Sequence, residues 1–551
     1  MKKLIVLLTT LIIVLTMIFV GYNETQKISV NLQNKKTGWN GQIDTTKGNA
    51  RIFTNKTLFE KSIIDKIDLN LVEVPEIEIV GNSNTSITND QKEISENNLL
   101  DQTTVTFNDC TADSELDDVI TVTYKNAGTL NDKAIDMKLV YSNLHTSNTL
   151  TEDTEVKMTW TAYGTHDNQI SETEWWLYHI THFNLKLYLN YTDTSEPIHF
   201  DNAYLTLFSE NGSIDESTNK LTHSEASTSK IATNVYLYEN TTINYNAELD
   251  YYGTKYPVYH GTTSGGTMLD GSNEIVYQFK NTNYLEIDKF IYSSTANTCG
   301  YHIHLYPYGL MLPENPQKLV NEEKIELDED VIYTISQNFP KARTSNHFLS
   351  SLVFKDKLAE GFKYKELKVY NEKNEDITEK AGKINYENNI LTYTYDTEYL
   401  KEINYNGQTY KYIITGTSTK ELETSQLSNK AEFILNDLYT LESNTVISDI
   451  YSYIKVFYVD EEGNGLVEPD ILQGNLYEEY ITKAKEIKGY TLVKTPTNAK
   501  GKYGEENNSV IYVYSKVTNP TTSNNNIIVI MIYIIFGASI VYAYKGKKQK
   551  S

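Results

Sequence analysis

Apolar and polar residues alternate along much of the chain, and this pattern predicts β-strands. Eight segments of this kind lie between Val105 and Leu312, separated by Asn, Gly, Asp and Ser residues typical of turns. They read VITVTYKN, AIDMKLVYS, EVKMTWTAYG, FNLKLYLNYTD, AYLTLFSENG, TNVYLYEN, NEIVYQFKN and KFIYSS. Eight short strands with turns between them predict a β-sandwich over residues 105–312, and a jelly roll is one arrangement of strands compatible with this pattern.

Two further blocks follow a boundary in the Pro-rich stretch LPENP. Residues 313–450 again read as strands, among them DVIYTISQNFP, ILTYTYD and KAEFILN, and residues 452–517 form a compact last block. The sequence therefore predicts a mainly β protein. It consists of tandem sandwich domains, immunoglobulin-like or jelly-roll-like, plus a small β-rich module, with a hydrophobic helix at each end.

Residues 24–104 precede the first block and are mixed in character. Short apolar alternations near LNLVEVPEIEIV are compatible with strands. From Asn82 the stretch NSNTSITNDQKEISENNLLDQTT is polar and poor in apolar residues. We interpret this part as a linker or stalk.

Both ends of the chain are apolar. Residues 1–23 carry two lysines and then a long apolar run, which predicts a secretory signal peptide; an uncleaved anchor is the alternative. Residues 527–544 form an apolar run just long enough to span a bilayer, and the lysine-rich tail 545–551 predicts a cytoplasmic end. Everything between the two ends is expected outside the cell.

Charge and cysteine content narrow the class further. The chain has 49 Lys and Arg against 73 Asp and Glu, a net charge of -24, which excludes nucleic-acid binding on electrostatic grounds. The two cysteines, Cys110 and Cys299, can pair in an exported protein or stay unpaired. His302 and His304 share one side of a predicted strand, but no third ligand accompanies them. We predict no metal and no cofactor.

The C-terminal end resembles the cell-wall sorting signal of Gram-positive surface proteins. Residues 518–526 form a linker that contains NPTTS, followed by the apolar run and the basic tail. The pentapeptide departs from LPxTG and is similar to an NPxT variant, with Asn519, Pro520 and Thr522 at the matching positions. The resemblance implies that a sortase cuts after Thr522 and joins the chain to a cell-wall peptide. A plain membrane anchor is the alternative.

Three segments of the middle block resemble the pilin-type, immunoglobulin-like domains that form an internal isopeptide bond. They are QKLVNEEKIELDEDVIYTI, SSLVFKDKLAEGFKY and QLSNKAEFIL. The resemblance implies that Lys318 and Asn429 are joined and that Asp356 shuttles the proton. The competing residues are Lys324, Glu322 and Glu323.

These residue types suit the reaction. Burial favours the neutral amine of a lysine, which can attack the side-chain carbonyl of an asparagine. Burial also raises the pKa of a carboxyl, so that it can donate and accept the protons. The result is a single-turnover maturation reaction, and we expect no enzymatic turnover.

The last block resembles the mucin-binding-protein (MucBP-like) repeat of Gram-positive surface proteins. The shared features are VFYVDEEGNG, KGYTLV and the closing aromatic strand VIYVYSK. The module lies next to the predicted membrane anchor, so it can act as a spacer or contact a ligand.

The leading hypothesis is a surface adhesin of a Gram-positive bacterium. Residues 105–312 would bind a host glycan, mucin or matrix protein, and residues 313–450 would form a cross-linked stalk. A structural or pilus-associated spacer without a ligand is one alternative, and a surface glycan-processing enzyme is another.

Overall fold

The computed structural model describes residues 46–518, without 70, 72–73, 96–97, 149, 152, 162–174, 209, 216, 219, 252–253, 264–271, 294–297, 308, 341–348, 404–406 and 506–507. The predicted signal peptide, sorting signal, C-terminal apolar run and basic tail lie outside these residues. Within them, no helix has the length and apolar character needed to cross a membrane.

The described chain is mainly β, as the alternating pattern predicts, and it has three large hydrophobic cores. The first core lies within residues 46–312, here called the N-terminal sandwich. The second belongs mostly to residues 313–450, the middle domain. The third lies within residues 453–517, the C-terminal module. The prediction of a mainly β fold with several domains is confirmed.

Two sheets pack face to face in the N-terminal sandwich and share its core. Its strands are β1 (Arg51–Phe53), β2 (Leu58–Phe59), β3 (Ile67–Leu69), β4 (Glu76–Val80), β5 (Asn84–Ser95), β6 (Asn98–Asn108), β7 (Glu115–Leu116), β8 (Val119–Leu130), β9 (Lys133–Thr146), β10 (Val156–Thr161), β11 (Trp175–Tyr178), β12 (Ile180–Tyr191), β13 (Phe200–Phe208), β14 (Gly212–Asp215), β15 (Lys220–Thr228), β16 (Asn234–Tyr238), β17 (Asn244–Tyr251), β18 (Thr254–His260), β19 (Ile275–Thr282), β20 (Leu285–Ser293), β21 (Thr298–His304) and β22 (Leu310–Met311). A 3₁₀ helix spans Ile63–Lys66.

The nine-stranded sheet has the order β1-β16-β19-β13-β21-β11-β10-β6-β5. The eleven-stranded sheet has the order β17-β18-β15-β20-β12-β9-β8-β3, with β14 beside β15, β4 beside β8 and β7 beside β9. Side chains alternate between core and surface along the long strands, because successive residues of a strand point to opposite faces.

The structure corrects the interpretation of residues 82–104 as a linker. They contribute to the antiparallel hairpin β5–β6, which extends the nine-stranded sheet at its edge. A strand at a sheet edge has one neighbour and stays exposed to solvent, so polar residues suit it. Residues 46–69 also belong to the sandwich, since β1 pairs with β16 and β3 with β8.

The middle domain is a second sandwich. Its strands are β23 (Gln317–Val320), β24 (Lys324–Glu326), β25 (Asp330–Asn338), β26 (Leu352–Lys357), β27 (Phe362–Tyr370), β28 (Gly382–Glu387), β29 (Ile390–Tyr395), β30 (Thr409–Ser418), β31 (Gln426–Asn429), β32 (Ala431–Leu435) and β33 (Tyr439–Glu442). The order β23-β25-β30-β27 forms one sheet and β28-β29-β26-β32-β33 the other. Two short helices, α1 (Thr378–Ala381) and α2 (Thr397–Ile403), connect strands.

One strand is shared between the middle domain and the C-terminal module. This strand, β34 (Val446–Asp460), pairs with β24 and β31 through its first half. Its second half pairs with two strands of the module. The module strands are β35 (Asp470–Asn475), β36 (Glu479–Ile481), β37 (Tyr490–Lys494), β38 (Lys500–Lys502) and β39 (Ser509–Lys516). The two domains are therefore joined by a continuous hydrogen-bonded strand.

Side chains also join neighbouring domains. Leu476 of the module is 2% exposed and packs into the core of the middle domain, and its backbone N–H donates to the carbonyl of Ile450 at 2.8 Å. At the other boundary, the backbone N–H of Leu58 donates to Oη of Tyr439 at 3.1 Å. Strand β2 of the N-terminal sandwich thus contacts the middle domain directly.

Candidate functional site

Three polar side chains meet in the interior of the middle domain, at positions where the strand pattern calls for apolar residues. Lys318 is 0% exposed, whereas its neighbour Leu319 is 67% exposed. Asp356 follows Leu352 and Phe354 on the buried face of β26. Asn429 is the second buried residue of β31. Burying unpaired polar groups is costly. Polar side chains at buried strand positions therefore indicate that these groups form hydrogen bonds with one another.

The three side chains are in mutual contact. Nζ of Lys318 lies 2.5 Å from Oδ2 of Asp356 and also donates to Oδ1 of Asn429. Nδ2 of Asn429 donates to Oδ1 of Asp356 at 2.8 Å and to the carbonyl of Lys357 at 3.2 Å. One oxygen of Asp356 therefore touches the amine and its other oxygen touches the amide nitrogen.

Different strands supply the three residues. Lys318 lies on β23 of one sheet of the middle domain and Asp356 on β26 of the facing sheet. Asn429 ends β31 just before β32, which pairs with β26. The site therefore spans the interior between the two sheets and connects the first strand of the domain with a late one.

Burial changes the protonation of this site. Desolvation lowers the pKa of Lys318, although the Asp356 carboxylate opposes the shift. Desolvation also raises the pKa of Asp356, against the effect of Lys318 and of the hydrogen bond from Asn429. Both shifts favour the pair in which the amine is neutral and the carboxyl protonated.

Neighbouring groups hold the lysine in place. The Nζ atom of Lys318 lies 4.6 Å from the ring centroid of Tyr333. The backbone N–H of Lys318 donates to Oδ1 of Asn444 at 2.8 Å, and Nδ2 of Asn444 donates back to the Lys318 carbonyl at 2.9 Å. Sequence reasoning missed Asn444, because a lone Asn outside a motif carries no signal.

The motif around Asp356 has a structural explanation. Gly361 has φ +79°, in the left-handed region that favours glycine, and a Cβ there would lie 2.4 Å from Leu422. Phe354 and Leu358 are buried in the core of the domain. The competing residues do not reach the site, since Glu322, Glu323 and Lys324 are exposed.

Only one of the two cysteine side chains lies within the described residues. Cys110 is half-buried with a free thiol, while the side chain of Cys299 lies outside the described residues. Strand pairing across the sheet places the backbone of Cys299 opposite Val105, with three strand-to-strand spacings between them. Cys110 lies a further five residues along the chain from Val105. That register implies a backbone separation of roughly 20 Å, beyond the reach of a disulfide. The geometry does not favour pairing, which stays an untested prediction.

His302 and His304 have no further candidate metal ligands beside them among the described residues. Within that part of the chain, no group of three or more His, Cys, Asp or Glu side chains is placed to hold an ion. His304 packs against Phe208, with ring centroids 3.8 Å apart, and against Tyr306. The side chain of His302 lies outside the described residues.

Two protein-family models match this chain. Residues 313–450 match the cell surface antigen I/II C2 terminal domain, and residues 453–515 match the MucBP domain. The MucBP resemblance read from the sequence is confirmed. The middle domain matches the antigen I/II family, whereas its sequence motifs resembled a pilin-type domain. Both models agree with a surface protein of a Gram-positive bacterium.

Curated relatives match only a short part of the chain. Internalin J of Listeria monocytogenes serovar 1/2a is 40% identical over 74 residues, which is 13% of this chain and 9% of that protein. Internalin J of the serotype 4b strain is also 40% identical over 74 residues, 13% of this chain and 8% of that protein. The chain thus spans less than a tenth of the length of these relatives.

Solved structures of surface proteins overlap with the chain in part. The N-terminal domain of the Streptococcus gordonii adhesin Sgo0707 covers 73% of this chain and 100% of its own, at 14% identity and a TM-score of 0.34. The full-length major pilin SpaD of Corynebacterium diphtheriae covers 56% and 92%, at 13% identity and a TM-score of 0.29. The C-terminal domain of AspA from Streptococcus pyogenes covers 48% and 92%, at 10% identity and a TM-score of 0.26. At these scores the backbones superpose only partly.

Proposed function

We propose that the chain is a cell-surface adhesin of a Gram-positive bacterium with a self-cross-linked middle domain. The observation that carries this proposal is the buried contact among Lys318, Asp356 and Asn429. An unreacted ion pair in this position would cost several kcal/mol of desolvation for each charge. An amide bond between Lys318 and Asn429 removes that cost.

The geometry supports a balanced proton path. Lys318 passes a proton from Nζ to Oδ2 of Asp356, and the neutral amine attacks Cγ of Asn429. Oδ1 of Asp356 lies 2.8 Å from Nδ2 of Asn429, so this carboxyl can protonate the leaving nitrogen. Nζ then gives up a second proton to Asp356 and ammonia departs. The products are an amide, ammonia and a neutral carboxyl.

The cross-link suits a domain under tension. It would join residues that lie 111 positions apart and so close most of the middle domain into a covalent loop. When the two ends of the chain are pulled, the force would pass through the covalent bond. The strands between residues 318 and 429 would then stay paired. The N-terminal sandwich would lie farther from the C-terminal anchor than the other two described domains, and it is the proposed binding region. Its ligand is a host glycan, mucin or matrix protein.

Anchoring completes the proposal. A sortase would cut after Thr522 within NPTTS and attach the chain to a cell-wall peptide, or the C-terminal apolar run would hold it in the membrane. The MucBP domain would then lie near the cell surface, where it acts as a spacer or as a second contact with mucin.

The proposal can be tested on a non-adherent bacterium that displays the full chain. We expect these cells to adhere under flow to surfaces coated with mucin, matrix protein or glycans. Cells displaying Asp356→Ala should bind at rest and detach at lower shear, whereas the exposed control Lys324→Ala should match the wild type. Absence of adhesion over a broad panel would contradict the adhesin function and favour a structural spacer.

A further inference from the structure

A second buried cluster of charged side chains lies in the N-terminal sandwich, apart from the site in the middle domain. Its centre is Lys289, whose side chain is fully buried. Nζ of Lys289 lies 2.9 Å from Oε2 of Glu210 and 3.3 Å from Oε2 of Glu225. The Glu210 side chain is 0% exposed and that of Glu225 is 5% exposed. A lysine is thus enclosed with two carboxyl groups inside the sandwich.

The cluster connects the two sheets. Lys289 on β20 pairs with Ser227 on β15, and Glu225 lies two residues before Ser227 on the same face. These three residues belong to the eleven-stranded sheet. Glu210 follows β13 of the nine-stranded sheet, and Tyr277 on β19 of that sheet contacts Ser227 through its hydroxyl at 2.9 Å.

The charges of Lys289, Glu210 and Glu225 do not balance among themselves, and the partly exposed His223 lies beside them, with its Nε2 3.4 Å from Oε1 of Glu225. One ammonium and two carboxylates would leave a net negative charge in the interior, which is expensive. Desolvation raises the pKa of Glu210, assisted by the negative charge of Glu225 and opposed by Lys289. This shift favours the protonated form of Glu210, and Oε2 of Glu225 lies within hydrogen-bonding distance of the same amine.

We propose that Lys289 and Glu210 join in an amide bond that ties the two sheets of the N-terminal sandwich together. Glu225 takes a proton from Nζ of Lys289, and the neutral amine attacks Cδ of protonated Glu210. The Cδ–OH bond breaks, the hydroxyl leaves with the second proton of the amine as water, and Glu225 stays protonated. The product contains no buried charge, since both the ammonium and the carboxylate have disappeared.

This bond is independent of the cross-link in the middle domain and extends the proposal beyond the stalk. It would connect positions 210 and 289 and close a covalent loop through the centre of the binding region. A sandwich fixed in this way resists separation of its sheets when a ligand pulls on it. The residue pair is Lys and Glu with loss of water, whereas the pair in the middle domain is Lys and Asn with loss of ammonia.

Peptide mapping of the purified full chain tests the proposal. After denaturation, reduction and trypsin digestion, we expect a branched peptide that joins the segments containing Lys289 and Glu210. It should be lighter than the two linear peptides together by about 18 Da, the mass of one water. Linear peptides alone, with cleavage after Lys289, would overturn the proposal and leave a buried ion-pair cluster.

Two variants define the roles. Glu225→Gln removes the proton acceptor, so the branched peptide should fall at least about tenfold. An undiminished branched peptide would overturn the role of Glu225, and if this variant does not fold, the wild-type map still decides the bond itself. Asp356→Ala should leave the Lys289–Glu210 peptide unchanged while it removes the Lys318–Asn429 bond, so the two proposals fail separately.

Discussion

Lys318 donates a hydrogen bond to Oδ1 of Asn429, although 111 positions separate the two residues along the chain. Asp356 contacts both of them, from a strand of the facing sheet. A nucleophile, an electrophile and a proton carrier therefore lie within hydrogen-bonding distance in a site closed to water. Such proximity removes much of the entropic barrier to an amide-forming reaction.

Replacing the lysine of this site should destabilise the middle domain. Lys318→Ala removes the proposed cross-link, and closing a loop of this length is worth about 5 kcal/mol by loop entropy. It also leaves the buried Asp356 carboxyl without its contact to Nζ of Lys318. Chemical denaturation should show a lowered midpoint for this variant. The midpoint of Lys324→Ala should hardly change, because this side chain is exposed. Equal midpoints for both variants would argue against a structural role of Lys318.

The rate of cross-linking should depend on pH in both directions. Burial lowers the pKa of Lys318 and raises the pKa of Asp356. A neutral amine and a protonated carboxyl therefore coexist at intermediate pH. Acid should slow the reaction by protonating Lys318, and alkali should slow it by ionising Asp356. A chain that has been kept unfolded since its synthesis, and so has not yet formed the bond, can be folded at a series of pH values while its mass is followed with time. A rate that only rises with pH would exclude Asp356 as the proton donor.

The joint between the last two domains should depend on Leu476. Leu476→Ala removes an almost fully buried side chain from the core of the middle domain and should cost about 2–5 kcal/mol. Ile471 lies on strand β35, directly before Leu476, and is 64% exposed. The control Ile471→Ala should therefore change the free energy of unfolding by less than about 0.5 kcal/mol. Calorimetry of both variants measures the effect. A loss confined to the transition of the C-terminal module would show that the joint does not couple the two domains.

In the N-terminal sandwich, Asp136 should contribute stability that depends on pH. Burial alone would raise its pKa, but hydrogen bonds from Thr192, Lys125 and the backbone of Asn126 lower it overall. A folded-state pKa below the unfolded value gives stability that is present above the unfolded pKa and lost as pH falls through the folded one.

The substitution Asp136→Asn should therefore cost about 1–3 kcal/mol at neutral pH and little in acid. Urea denaturation at both pH values compares it with wild type. The control Asp201→Asn changes a carboxylate whose side chain is 90% exposed and should have little effect at either pH. An equal cost of Asp136→Asn at both pH values would contradict the electrostatic explanation.

The sequence predicts the strands well where one face is apolar. It also places Lys318, Asp356 and Asn429, because their motifs accompany fixed positions on strands. It fails for strand β5 of the β5–β6 hairpin, since this edge strand has one neighbour and its mostly polar side chains show no apolar face.

Contacts between residues far apart in the chain are the second feature that the sequence does not predict. Lys289 lies within the apolar segment KFIYSS, yet only the packing of the two sheets shows that Glu210 faces it. Asn444 holds the backbone of Lys318 from 126 positions away, with no motif around it. Strand pairing between distant segments decides both contacts, and a local pattern carries no information on such pairing.

The cross-link in the middle domain can be tested directly by mass spectrometry of the digested full chain. We predict a branched peptide that joins Lys318 to Asn429 and weighs about 17 Da less than its two linear parts, the mass of one ammonia. The same peptide should be absent from Asp356→Ala. Linear peptides in the wild type, with an unmodified Asn429 and cleavage after Lys318, would contradict the account.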